Sequence, residues 1–102
     1  MRIRDLRGLG PKSEEQLAKV DITTLDELRR VGAVPAFITV REETDWKPSL
    51  NFLYALVGAL EDRDWRDVAR ENRRRLLAEL EGHRELQQLF DDVQAAQSNN
   101  RT

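Results

Sequence analysis

The chain contains no cysteine, a single histidine, and no stretch in which valine and isoleucine alternate with polar residues. Without cysteine there is no disulfide framework and no thiolate chemistry, which fits a reducing cytoplasm. With His83 alone, neither a catalytic triad nor a metal cluster can be assembled, and the carboxylates are spread over charged helical faces. The missing alternation leaves no strand to assign. No apolar run approaches the ~20 residues that span a bilayer, and the Arg-rich start lacks the apolar segment of a secretion signal, so a soluble, cytoplasmic protein is expected. Positive charge is also short: the formal net charge is −2 and the pI about 5.5, well below the basic balance of a dedicated nucleic-acid binder. Gly8-Leu9-Gly10 has neither the length nor the lysine position of a phosphate-binding P-loop. No enzyme activity, cofactor, metal or small-molecule substrate is implied.

What remains is a chain of 102 residues, 35% of them charged, in which apolar positions recur at helical spacing. This predicts one small all-α domain of about five to six helices. Its most informative stretch is Leu6-Arg7-Gly8-Leu9-Gly10-Pro11-Lys12. Gly8 and Gly10 can turn the backbone through positive φ while Leu9 points into a core, and Pro11 suits the first turn of a helix. The stretch reads as short helix, tight hairpin, helix, with Ile3, Leu6 and Leu9 on the apolar side. Such a hairpin turns backbone amides and a helix N-terminus outward, where a DNA phosphate could sit beside Arg4, Arg7, Gly8, Gly10 and Lys12. Those contacts would be weak and independent of base sequence. Against them stand Glu14 and Glu15 and the net acidity; the plainer reading is a hairpin that only joins two helices.

Further along, Leu17 and Val20 face inward. Thr24-Leu25-Asp26-Glu27 has the spacing of a capping box opening a helix whose inner stripe is Leu25, Leu28 and Val31, and which Gly32 stops. Pro35 lies near the start of the next helix, which turns Val34, Phe37, Ile38 and the stem of Arg41 inward. After the loop Thr44 to Pro48, Ser49 is placed to cap a segment from Leu50 to Leu60 that is apolar almost all round. A helix of that kind is buried, so this one should be the central post of the domain, with Gly58 permitting a close helix approach. Trp65 should cover one end of the core. A long helix from about Ala69 to Glu81 would present Leu76, Leu77 and Leu80 inward and its arginines outward, and Gly82 would interrupt it. Beyond Gly82, Leu86, Leu89, Phe90, Val93 and Ala96 recur three or four apart on a further helix, a stripe that could fold back on its own domain or form a seam between two copies; self-association is favoured, since the preceding helices suffice to close the core. The reading therefore divides the chain into a helical domain over residues 1–81 and an extension over 82–102 with a disordered end. The Arg-rich run Arg70 to Arg75 could be a second phosphate patch or a binding face for an acidic partner, but its default reading is a solvated helical face laced by i,i+4 pairs.

Four blocks taken together, Leu6 to Glu14, Val20 to Leu28, Val31 to Val34 and Leu50 to Leu56, resemble in order the C-terminal domain of the TfoX/Sxy competence regulators. The resemblance runs to about Leu80. It implies a helix-hairpin-helix-like all-α fold and an association with the control of DNA-uptake genes in bacteria, and it does not imply an established catalytic activity. Larger members of that family carry an α/β domain ahead of this module; nothing in this sequence corresponds to it, so the isolated module is expected. Asp21 stands where helix-hairpin-helix sequences usually have glycine, and aspartate tolerates the left-handed geometry better than most residues. The expected partners are another protein or a second copy of the chain, with weak DNA contact as the alternative.

Overall fold

The computed structural model describes residues 3–6 and 8–99, with side chains described as far as Arg84. A three-residue 3-10 turn, Ile3–Asp5, is followed by α1 (Pro11–Ala18), α2 (Leu25–Val31), α3 (Ala33–Glu43), α4 (Leu50–Glu61) and α5 (Trp65–Asn99). The domain is all-α, and no strand occurs among the described residues.

Helix α4 is the axis. Every residue from Phe52 to Gly58 is buried, and α5, α3 and α2 all pack on it. Its polar positions, Asn51 and Glu61, are both exposed. Ser49 occupies the N-cap position but its hydroxyl makes no capping bond. At the other end Asp62 adopts left-handed geometry, φ 54° and ψ 49°, and the chain doubles back into α5. Asp64 then caps α5: its carboxylate accepts from the Arg66 amide at 2.8 Å and its carbonyl from the Val68 amide at 3.2 Å. This cap explains why α5 starts at Trp65, four residues before the periodicity of the arginine run suggests.

The expected capping box is half formed. Thr24 Oγ1 accepts from the Glu27 amide at 3.1 Å. Glu27 does not complete the reciprocal backbone bond; its carboxylate accepts instead from the hydroxyls of Thr23 and Thr24, at 2.8 and 3.2 Å. Gly32, at φ 95°, ends α2 and precedes the first residue of α3. The connection after α1 relies on Asp21 at φ 63°, the left-handed position its short polar side chain was expected to tolerate.

Three expectations are corrected. Helix α5 runs through Gly82 without a break; one interior glycine costs a helix about 1 kcal/mol, and flanks rich in Leu, Glu, Gln and Arg offset it. Leu77 is 36% exposed, whereas Leu76 is 2% exposed: neighbours on a helix point about 100° apart, and the core takes Leu76 and Leu80. Val31 is 41% exposed, because residues three apart drift about 60° per step and the last turn of a short helix has nothing beyond it to pack on. No described helix is long and apolar enough to cross a membrane.

Candidate functional site

The backbone at Gly8 lies against the middle of α4, beside Ala55. Ile3, Leu6 and Leu9 are all buried, and the Leu6 and Leu9 amides donate to the carbonyls of Ile3 and Leu6 at 3.0 and 3.1 Å. The segment is thus a pair of successive tight turns that drives three side chains into the core. Gly8 supplies the left-handed residue, φ 81°, and a Cβ there would touch Ala55 Cβ at 3.5 Å. Gly10 works differently from expectation. It is extended, φ −133° and ψ −171°, and serves as the N-cap of α1, with Pro11 in the first turn and the Glu14 amide donating to its carbonyl at 3.0 Å. A Cβ on Gly10 would meet nothing within 4 Å.

Of the five residues expected to face a phosphate, Arg7 lies outside the described residues. Arg4 is already engaged. Its Nε donates to Glu14 Oε1 at 2.9 Å, a second guanidinium nitrogen lies 2.8 Å from the same oxygen, and its amide donates to Glu14 Oε2 at 3.1 Å. The hydrogen bond and charge of Glu14 raise the Arg4 pKa further above its ordinary value. Glu14 is thereby explained by tethering the first turn to α1, a role its place near the helix start did not reveal. Lys12 is exposed and has no carboxylate partner among the described residues. Neither the Gly8 nor the Gly10 amide has an acceptor among the described residues.

One buried polar side chain escaped sequence reasoning. Gln16 is 2% exposed and its Oε1 has no partner among the described residues. The signal was its spacing, one residue before Leu17 and four before Val20, on the inner stripe of α1.

The arginines of α5 fall into two sets. Arg63, just ahead of the helix, donates to Glu61 at 2.8 Å, Asn72 at 2.7 Å and Glu71 at 2.7 Å, which fastens the turn between α4 and α5 and raises its pKa. Arg66 pairs with Asp64, Arg70 with Asp67 and Arg75 with Glu79. These arginines are part of the structure's own ion-pair lacing. Arg73, Arg74 and Arg84 are exposed and have no carboxylate partner among the described residues. Arg84 joins Arg41, Leu50, Leu77, Leu80 and Glu81 around a cleft of about 430 Å³ where the N-terminus of α4 and the end of α3 meet α5. Arg41 sits 5.5 Å over the Phe37 ring and likewise lacks a carboxylate partner among the described residues. His83 Nε2 lies 4.0 Å from Glu42 Oε1. Among the described residues no three His, Cys, Asp or Glu side chains converge on a metal position. The side chains of Leu86, Leu89, Phe90 and Val93, expected to mediate self-association, lie outside the described ones; their backbone belongs to α5.

The sequence profile of the TfoX C-terminal domain matches residues 1–80. The chain belongs to the TfoX C-terminal domain family. It is 33% identical over 79 residues to the DNA transformation protein TfoX of Haemophilus influenzae; the match takes in 78% of this chain and 36% of that protein. It therefore spans little more than a third of its relative. A crystal structure of an uncharacterized protein from Listeria monocytogenes superposes with a TM-score of 0.61 at 33% identity, covering 65% of this chain and 74% of that one. The TfoX C-terminal match ends at residue 80, in the middle of α5, so the last 19 residues of that helix continue beyond the family module without a structural boundary.

Proposed function

We propose that the chain is a regulatory protein-interaction module of the TfoX type, with no reaction of its own, and that it associates with a second copy through the outer part of α5. The observation that supports this is the continuity of α5 past the end of the family match, from Leu80 to Asn99. That length of helix carries the apolar series Leu86, Leu89, Phe90 and Val93, and a helix with an apolar stripe needs a surface to cover it. The relative's name adds the regulatory context, DNA transformation. The test is sedimentation of the full chain over a range of concentrations. Reversible association is expected, and Leu89→Arg combined with Phe90→Arg should give a monomer of unchanged helix content by circular dichroism. A full chain that sediments as a monomer throughout would refute the self-association.

A second reading, weak binding of the DNA backbone at the hairpin, is favoured by the amides of Gly8 and Gly10 and the side chain of Lys12, none of which has a partner among the described residues. Glu14 counts less against it than the sequence suggested, since its charge is shared with Arg4. On this reading, binding to duplex DNA should fall steeply with salt, and Lys12→Glu should weaken it several-fold. Gly10→Val is a clean probe of the amide because its Cβ has free space. Absence of binding to single- or double-stranded DNA at low salt would remove the hypothesis.

A further inference from the structure

We propose that the cleft lined by Arg41, Leu50, Leu77, Leu80, Glu81 and Arg84 is the receptor for the C-terminal segment of a second copy of this chain, around residues 85–93. The proposal rests on the self-association reading above and names its receiving surface.

The cleft has an apolar floor in Leu50, Leu77 and Leu80, two arginines without carboxylate partners among the described residues, and one carboxylate, Glu81. Leu77 is the feature that the domain's own packing leaves unexplained, a leucine 36% exposed beside buried Leu76. Arg73, one turn before Leu77, is exposed and unpaired among the described residues, and extends the positive character along α5. A complementary occupant would be apolar at helical spacing, acidic, and free of lysine and arginine. Residues 85–100 have that composition: Leu86, Leu89, Phe90 and Val93 with Glu85, Asp91 and Asp92, and no basic residue until Arg101. Charge complementarity of this kind selects a partner and its register more than it adds raw affinity.

The continuity of α5 decides between the same copy and another. Leu77, Leu80, Glu81 and Arg84 lie on the same unbroken helix as residues 85–99. A straight helix cannot fold its later turns back over its earlier ones, so the segment that fills the cleft must come from a second molecule.

The test exchanges charges in the full-length chain. One variant carries Arg41→Glu and Arg84→Glu, and the other Asp91→Arg and Asp92→Arg; each is checked for helix content and melting, with Arg84→Glu alone as the cleft variant if Arg41 proves necessary for folding against Phe37. Each variant by itself should associate at least about tenfold more weakly than the parent chain, and an equimolar mixture should recover association to within about threefold of it. If the tail variant loses association while the cleft variants keep it, the cleft is not the receptor although self-association stands. If both lose it and the mixture does not recover, the two segments do not meet and the proposal falls. If the parent chain is monomeric, the self-association reading and this proposal fall together.

Discussion

Gly58→Ala should lower the free energy of unfolding by about 3 kcal/mol. Gly58 is buried in the last full turn of α4, where its carbonyl accepts from the amides of Asp62 and, at 2.8 Å, Arg63. The returning chain passes so close that a Cβ at position 58 would overlap the Arg63 carbonyl oxygen, with the Arg63 carbonyl carbon at 3.5 Å and the Trp65 nitrogen at 3.6 Å. All three are backbone atoms held by the Asp62 turn, the Arg63 ion pairs and the Asp64 cap, so the obstruction cannot swing aside as a side chain would. Helix propensity alone argues the other way, since alanine is favoured over glycine by about 1 kcal/mol in a helix interior. The sign of the change therefore decides between the two effects. Gly82→Ala is the internal comparison: nothing lies within 4 Å of its Cβ, and it should raise stability by up to about 1 kcal/mol. Urea unfolding of both variants measures the difference, and a stabilised Gly58→Ala would mean that the α4–α5 turn can shift as a unit.

The contrast between these two glycines also marks what was legible in the sequence. Helix α4 could be read because its apolar residues surround it, which leaves burial as the only stable arrangement. The start of α2 and its stop at Gly32 could be read because caps act within one turn of chain. Gly82 misled because the residue type alone does not tell a helix stop from a tolerated interior glycine; the strength of the flanks decides. Val31 and Leu77 misled because a stripe of leucines and valines says which side of a helix is apolar, but how far that side is covered depends on where the neighbouring helices end.

At the hairpin, sequence reasoning placed Leu9 inward and made Pro11 the first helical residue, and both follow from local chemistry. The partner of Glu14 was out of reach, because the Arg4–Glu14 pair spans ten residues and depends on how the first turn folds over α1. Gly10 looked equivalent to Gly8 because a glycine pair in sequence does not distinguish the residue that needs positive φ from the one that opens a helix. The unsatisfied Gln16 oxygen was invisible for a similar reason: an inner-stripe position can be read from spacing, but the number of hydrogen-bond partners there cannot. For the cleft, the arginines of the 70–75 run drew notice, whereas Arg41 and Arg84, without carboxylate partners among the described residues, come together only because the end of α3 meets α5.

Ile3→Ala should cost about 2–4 kcal/mol, nearly as much as a substitution in the centre of α4, although Ile3 lies in a three-residue turn at the start of the chain. Ile3 is 0% exposed, as Leu53 and Leu56 of α4 are, and a shorter side chain would leave a cavity that the turn cannot close while Leu6 and Leu9 stay buried in the core beside it. The Arg4–Glu14 pair outside this plug is exposed, so Arg4→Ala should have a much smaller effect. Thermal and urea unfolding of the two variants separate the contributions of the apolar plug and the salt bridge. The outcome bears on the hairpin as a binding element. If Ile3→Ala is as costly as expected, the hairpin is fixed by the core and its Gly8 and Gly10 amides are held in one arrangement, as recognition of a phosphate by backbone groups requires. If it costs less than about 1 kcal/mol, the first turns are only loosely attached to the core, and the two amides have no fixed geometry with which to bind an anion.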